Sequence, residues 1–176
     1  LLKRVKEHEH EMITELSHLV SHSTYTYAPE SVDKLQDYLA EQFRKEGCLV
    51  EFLSPQNTLY GRHLKIECGC GKEQILILAH VDTVYPKDKV TKDAFSIEED
   101  RLLGPGVYDM KGGVLQLLWS IRLIKKFGLK TKYRIIIIIN SDSEAGGVSS
   151  RRYIENEAIK SKAVFVLESS AAPEGE

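Results

Sequence analysis

His80, Asp82, Asp109, Glu144 and Glu168 are the residues of this chain whose types and placement suit a metal centre. His80-Val81-Asp82 follows the apolar run Gln74–Ala79, and Asn140-Ser141-Asp142-Ser143-Glu144 follows Tyr133–Ile139. Glu168 follows Ala163–Leu167, and the loop Gly104-Pro105-Gly106 delivers Asp109 to the start of a helix. One imidazole and several carboxylates therefore meet beyond the carboxyl ends of strands, where open α/β sheets bind their ligands. Gathered carboxylates repel, and Lys111, the one basic residue of these segments before Arg151, cannot balance Asp109, Glu144 and Glu168 alone. A divalent cation, or two, would. A His, Asp and Glu donor set without thiolates suits zinc, with manganese or cobalt as substitutes. His80 and Asp82 stand two apart on an extended segment and so face one side. Asp82 can then accept from the second ring nitrogen of His80 and fix its tautomer.

Taken singly, each residue has a plainer role. A histidine at a strand end can be a satisfied structural group, Asp109 can be a helix N-cap, and Glu144 can favour the positive end of the following helix. The Gly104/Gly106 loop is no dinucleotide fingerprint, because Asp109 stands where the last glycine belongs. Nor is it a phosphate-binding P-loop, since Gly follows Lys111. The weight lies in the conjunction.

The elements that must carry these residues are legible from periodicity. Residues 1–23 place Val5, Met12, Ile13, Leu16, Leu19 and Val20 on one helical stripe, and Pro29 opens a second helix that Gly47 stops. Strands are predicted over Cys48–Leu53, Arg62–Cys68 and Gln74–Ala79, the last two as a hairpin through Gly69-Cys70-Gly71-Lys72. Tyr85–Tyr108 reads as loop with a short β pair around Phe95–Ile97 and Arg101–Leu103. A buried helix over Gly112–Phe127, the strand Tyr133–Asn140, a helical stretch Gly146–Ala158 and a buried strand Ala163–Leu167 complete the order. Helices alternating with continuous apolar strands predict an α/β fold, an open and largely parallel sheet covered on both faces.

Composition narrows the classes. The chain has 176 residues, 42% hydrophobic and 28% charged, which fits one globular domain or the larger part of one. Its net charge of −2 gives no basic footprint for nucleic acid. The longest apolar run, Ile135–Ile139, is too short to span a bilayer, and the first residues lack the apolar stretch of a signal peptide. Three cysteines are too few and too odd in number for a disulfide framework, so the expectation is free thiols in a reducing cytoplasm. Cys48 reads as a small core residue, and Cys68 and Cys70 as turn residues. His18 and His22, one helical turn apart, read as an exposed helix face rather than a metal pair.

His80-Val81-Asp82-Thr83-Val84-Tyr85-Pro86, Gly104-Pro105-Gly106-Val107-Tyr108-Asp109-Met110-Lys111-Gly112-Gly113 and the Asn140–Ser150 stretch resemble the co-catalytic zinc aminoacylase/carboxypeptidase family. Its wording is most similar to the glutamate carboxypeptidase branch. The resemblance implies a three-layer α/β/α sandwich of zinc-exopeptidase type with a mixed sheet. It implies two zinc ions: His80 on one, Asp109 bridging both, Glu144 on the ion that lacks His80, and Glu168 completing the His80 site. Asp82 would be the outer partner of His80, and the Asp109-Met110 peptide would be cis. The implied reaction is hydrolysis of an amide bond beside a free carboxylate, in C-terminal glutamate conjugates, dipeptides or N-acyl amino acids. Neither nucleic acid nor membrane is an expected partner.

Two departures stand out. The family's general base is a Glu directly before the metal-binding Glu, and here Ser143 occupies that position. A lone hydroxyl cannot take a proton near neutral pH, and losing such a base costs about 10²–10⁴ in rate. The sequence therefore reads either as a hydrolase with impaired activity or as a silent relative that binds metal or peptide without turnover. A shifted role for Asp142 as base is disfavoured, because its side chain should point away from that of Ser143. Second, the family's catalytic domain is split by an inserted lid-and-dimerisation domain, and its final metal-binding His lies in the returning segment. The expectation is that residues 1–176 are the N-terminal portion of such a domain, whose full-length form would dimerise through the lid.

Overall fold

Five consecutive isoleucines, Ile135–Ile139, are buried on both faces and take the centre of a five-stranded sheet. A computed structural model describes residues 2–90 and 94–170, with helices α1 (Leu2–Lys6), α2 (Glu9–Ser21), α3 (Pro29–Lys45), α4 (Gly112–Lys126) and α5 (Arg151–Ala158). The strands are β1 (Leu49–Leu53), β2 (His63–Cys68), β3 (Gln74–His80), β4 (Ser96–Glu98), β5 (Arg101–Leu103), β6 (Arg134–Asn140) and β7 (Ser161–Val166). The large sheet has the order β1-β2-β6-β3-β7, while β4 and β5 form a separate ribbon. β1, β2 and β6 run antiparallel in turn, whereas β3 lies parallel to both β6 and β7. The sheet is mixed and the architecture α/β.

Alternation along each strand sorts the core into two layers. Leu64 and Ile66 of β2 stand opposite Ile139 and Ile137 of β6. These side chains pack with Leu19 of α2, Leu35 and Phe43 of α3, and Leu118 of α4. On the other face, Leu76, Ile136 and Ile138 meet Tyr153, Ile154 and Ala158 of α5. Among the described residues, no helix is long and apolar enough to cross a membrane.

Several expectations are corrected. β2 and β3 form no hairpin, because β6 lies between them. A parallel β3–β6 pair needs a crossover, and α4 supplies it. The strand expected at Ala163–Leu167 is not buried but an edge, with Phe165 51% and Val166 59% exposed. The 1–23 helix is two helices that break before Glu9, its first residue lying outside the described residues. The helix expected from Gly146 begins at Arg151, since Gly146 and Gly147 have φ of 86° and 67°, the left-handed region. Cys48 and Cys68, expected as thiols, are disulfide-bonded across the β1–β2 end, and Cys70 is free and exposed. Antiparallel pairing puts these two residues opposite each other, and counting cysteines does not reveal that.

Candidate metal centre

The parallel trio β6, β3 and β7 brings three strand ends to one edge, where His80 pairs in register with Asn140. His80 is buried, and its Nδ1 faces the backbone carbonyl of Asp82 at 2.9 Å and Asp82 Oδ1 at 3.3 Å. Both neighbours are oxygens, so Nδ1 carries a proton and Nε2 is the ring's free donor atom when the ring is neutral. Nε2 lies 3.1 Å from Asp109 Oδ1 and 3.1 Å from Glu168 Oε1. Burial opposes a charged ring here, yet Asp82, Glu168 and Asp109 outweigh it and lift His80 to about 9. Three carboxylates thus draw positive charge to this point.

Asp82 does more than orient a ring. Its wholly buried carboxylate accepts the backbone N–H of Ser143 on Oδ1 (3.1 Å) and that of Glu144 on Oδ2 (3.1 Å). The Thr26 hydroxyl donates to the same Oδ2 at 2.9 Å. Residues 24–26 run beside Thr83, which donates its N–H to Thr24 O (2.8 Å) and accepts from Thr26 N (3.1 Å). One carboxylate therefore joins the histidine-bearing strand end to the turn that carries Glu144.

Asp109 arrives on a tight loop. Gly106 has φ 74°, and a Cβ there would stand 2.8 Å from Thr83 Cγ2, so only glycine lets the loop lie this close. The Asp109-Met110 peptide is cis, as the resemblance implied. The Met110 side chain is buried under the site, where its sulfur accepts the His80 N–H at 3.2 Å. Lys111 donates its ammonium to the His22 carbonyl at 2.8 Å, and burial pushes it down to about 7.

Glu144 completes the arrangement. One ligand atom each from His80, Asp109 and Glu144 lie within 4.8 Å of one another. Burial and the neighbouring Asp109 raise the Glu144 carboxyl above its ordinary range. Asp142, by contrast, is committed to its own turn. Its Oδ2 accepts from Ser149 N (2.6 Å) and Ser150 N (3.1 Å), and its Oδ1 accepts from Asn140 Nδ2 (3.1 Å). Burial works to raise it, but hydrogen bonds from Ser150, Ser149 and Asn140 hold it below the usual carboxylate range. Ser143 stands beside Glu144 on the short turn Ser143–Ala145.

Of the residues singled out in the sequence, the structure brings His80, Asp82, Asp109, Ser143, Glu144 and Glu168 to this one edge. His18 and His22 lie elsewhere, packed on Tyr38 with ring centroids 4.6 and 6.4 Å away, and His22 Nδ1 contacts the His18 carbonyl at 2.9 Å. Sequence reasoning missed Thr26 and His63. His63 is 0% exposed at the start of β2, opposite the end of β6. Placing β2 beside β3 conceals it, whereas pairing β2 with β6 would have brought it to the Asn140–Glu144 turn.

Residues 76–176 match the model of the peptidase family M20/M25/M40. Carboxypeptidase G2 of Pseudomonas sp. (strain RS-16) is 29% identical over 174 residues, 98% of this chain and 42% of that protein. The putative dipeptidase YtjP of Bacillus subtilis (strain 168) is 33% identical over 130 residues, 73% of this chain and 27% of that one. Among solved structures, human carnosine dipeptidase 1 superposes with a TM-score of 0.81 at 19% identity, over 93% of this chain and 39% of its own. The M20 family metallo-carboxypeptidase Sso-CP2 from Sulfolobus solfataricus gives 0.79 at 20% identity, over 94% of this chain and 39% of its own. These likenesses support the α/β fold, and the chain spans less than half the length of each of these relatives. The extent of the family match settles the affiliation: this chain belongs to the peptidase family M20/M25/M40.

Proposed function

We propose that the protein is the metal-binding portion of a di-zinc metallohydrolase that cleaves an amide bond beside a free carboxylate, in a small peptide or an N-acyl amino acid. The observation that carries this reading is the convergence of His80, Asp109 and Glu144 ligand atoms within 4.8 Å, with Glu168 3.1 Å from the same imidazole nitrogen. That donor set, one imidazole and three carboxylates without a thiolate, fits zinc, and manganese or cobalt would be tolerated. His80, Asp109 and Glu168 would hold one ion, and Asp109 and Glu144 the other. When bound, such a pair supplies Lewis acidity to the scissile carbonyl and an acidified water.

The remaining work falls to the chain itself. Asp82 keeps the His80 Nδ1 proton in place and leaves Nε2 for ligation. Asp109 is presented by a loop that Gly106 allows to lie against Thr83. Proton transfer belongs to position 143, beside Glu144, and a serine hydroxyl there holds its proton at neutral pH. Asp142 does not substitute, because its carboxylate is occupied by Ser149, Ser150 and Asn140. The name of carboxypeptidase G2 and the putative dipeptidase among the relatives favour small peptides with a free terminal carboxylate as substrates.

Ser143 supports a second reading, a silent relative that binds metal or peptide without turnover. Ser143→Glu in the full-length protein separates the two. Under the hydrolase reading it raises hydrolysis of dipeptides or N-acyl glutamate by about 10²–10⁴ at saturating zinc. No gain in a variant that still binds zinc favours the silent relative.

A further inference from the structure

His63 has the geometry of a clip. Its ring is fully buried at the edge that carries the candidate centre, yet it reaches none of the proposed ligands. Nδ1 accepts the backbone N–H of Ser141 at 3.1 Å, and Nε2 stands 3.0 Å from Ser149 Oγ. Because Nδ1 is an acceptor, the ring's single proton sits on Nε2 and is donated to the Ser149 hydroxyl. That direction removes any triad chemistry, since an Nε2 that bears the proton cannot take one from Ser149. Burial pushes the imidazole below its ordinary pKa despite Asp142, Asp82 and Asp33 nearby, consistent with a neutral ring.

Ser141 and Ser149 are the two ends of the turn that presents Ser143 and Glu144. Other restraints hold the turn as well: Asp82 accepts from Ser143 N and Glu144 N in its middle, and Asn140 Nδ2 donates to Ser150 Oγ at 3.1 Å across its ends. The Asp142 carbonyl accepts from Ala145 N (3.1 Å) and Gly147 N (2.8 Å). Gln36 Nε2 donates to Ser141 Oγ at 2.9 Å. Ser149 N donates to Asp142 Oδ2, so the far end bonded by His63 is also bonded to the residue directly before Ser143. We infer that His63 is a positioning residue, one imidazole that ties both ends of the 141–149 turn together and thereby sets where Glu144 and the group at 143 stand against His80 and Asp109. The inference rests on the metal-centre reading for its consequence, but not for the clip itself.

The two parts are separable by experiment on the intact protein. His63→Phe keeps the ring's bulk and removes both bonds, while His63→Asn retains an acceptor near Nδ1 for Ser141. Leu118→Ala, a buried core change on α4, serves as a control for general loss of stability. Amide hydrogen exchange without metal should rise about tenfold or more in residues 141–150 of His63→Phe, beyond any change in β3, with partial recovery in His63→Asn. Zinc titration should then show affinity about 10- to 100-fold weaker in His63→Phe and little altered in Leu118→Ala. Exchange that rises uniformly, or not at all within the turn, overturns the clip. A loosened turn with unchanged zinc affinity overturns the positioning role. If the unaltered protein binds no zinc, the metal-centre reading fails, and the exchange result alone still decides for or against the clip.

Discussion

Asp82 is the residue on which most of the candidate site depends. It touches the His80 ring, the N–H groups of Ser143 and Glu144, and the Thr26 hydroxyl, all from a wholly buried position. Asp82→Asn keeps the shape but replaces one accepting oxygen by a donor, so it sets an N–H against an N–H at one of these contacts. Zinc affinity should fall about 10- to 100-fold, read by calorimetric titration. At this scale the sequence was informative where chemistry follows directly from residue type and spacing. The His-x-Asp pair, the glycine loop before Asp109 and the carboxylates after each strand could all be read. The carboxylate's bonds to Ser143 and Glu144 could not, because they join residues 61 and 62 positions apart. His63 escaped for a related reason, since nothing near it in sequence distinguishes it from an ordinary strand histidine.

The elements hold the site through close approach. α4 begins with Gly112-Gly113, and a Cβ on Gly113 would collide with the backbone carbonyl of Leu167 and come within 2.8 Å of Met110 Cε. The start of α4 is therefore seated against the chain immediately before Glu168. Gly113→Ala should push Leu167 and Glu168 outward. The expected result is a stability loss of about 1–3 kcal/mol in denaturant titration and a weaker zinc site. Gly128→Ala offers a contrast, because no heavy atom lies within 4 Å of a Cβ there and only its φ of 62° opposes the change. Periodicity found most elements, from α3 through β6, since a half-buried helix or strand writes its pattern locally. It failed where the deciding fact was a neighbour. The β2–β3 hairpin looked natural until the five isoleucines of β6 claimed the position between them, and β7 looked buried because its apolar run does not reveal that it lies at an edge.

For the molecule as a whole, acid stability has an identifiable contributor away from the site. Glu157 on α5 accepts from Lys65 (2.8 Å), Lys160 (3.1 Å) and Gln74 (3.0 Å). Burial works to raise its carboxyl, but these three partners prevail and hold it at about 2. A carboxyl depressed in the folded state stabilises fully above its unfolded value and loses that contribution as pH falls through its folded value. The contribution should therefore fade between pH 4.5 and about 2. Glu157→Gln should cost about 1–3 kcal/mol at neutral pH and flatten the stability profile across that interval, as followed by chemical denaturation at stepped pH. The central claim concerns the other end of the sheet, where His80, Asp109, Glu144 and Glu168 gather. Its most direct measurement is a zinc titration of the metal-stripped protein, followed by calorimetry and metal analysis, beside a Glu144→Gln/Asp109→Asn double variant. Two zinc ions per chain, both lost in the double variant, are the predicted result; zinc uptake no greater in the unaltered protein than in the double variant would contradict it.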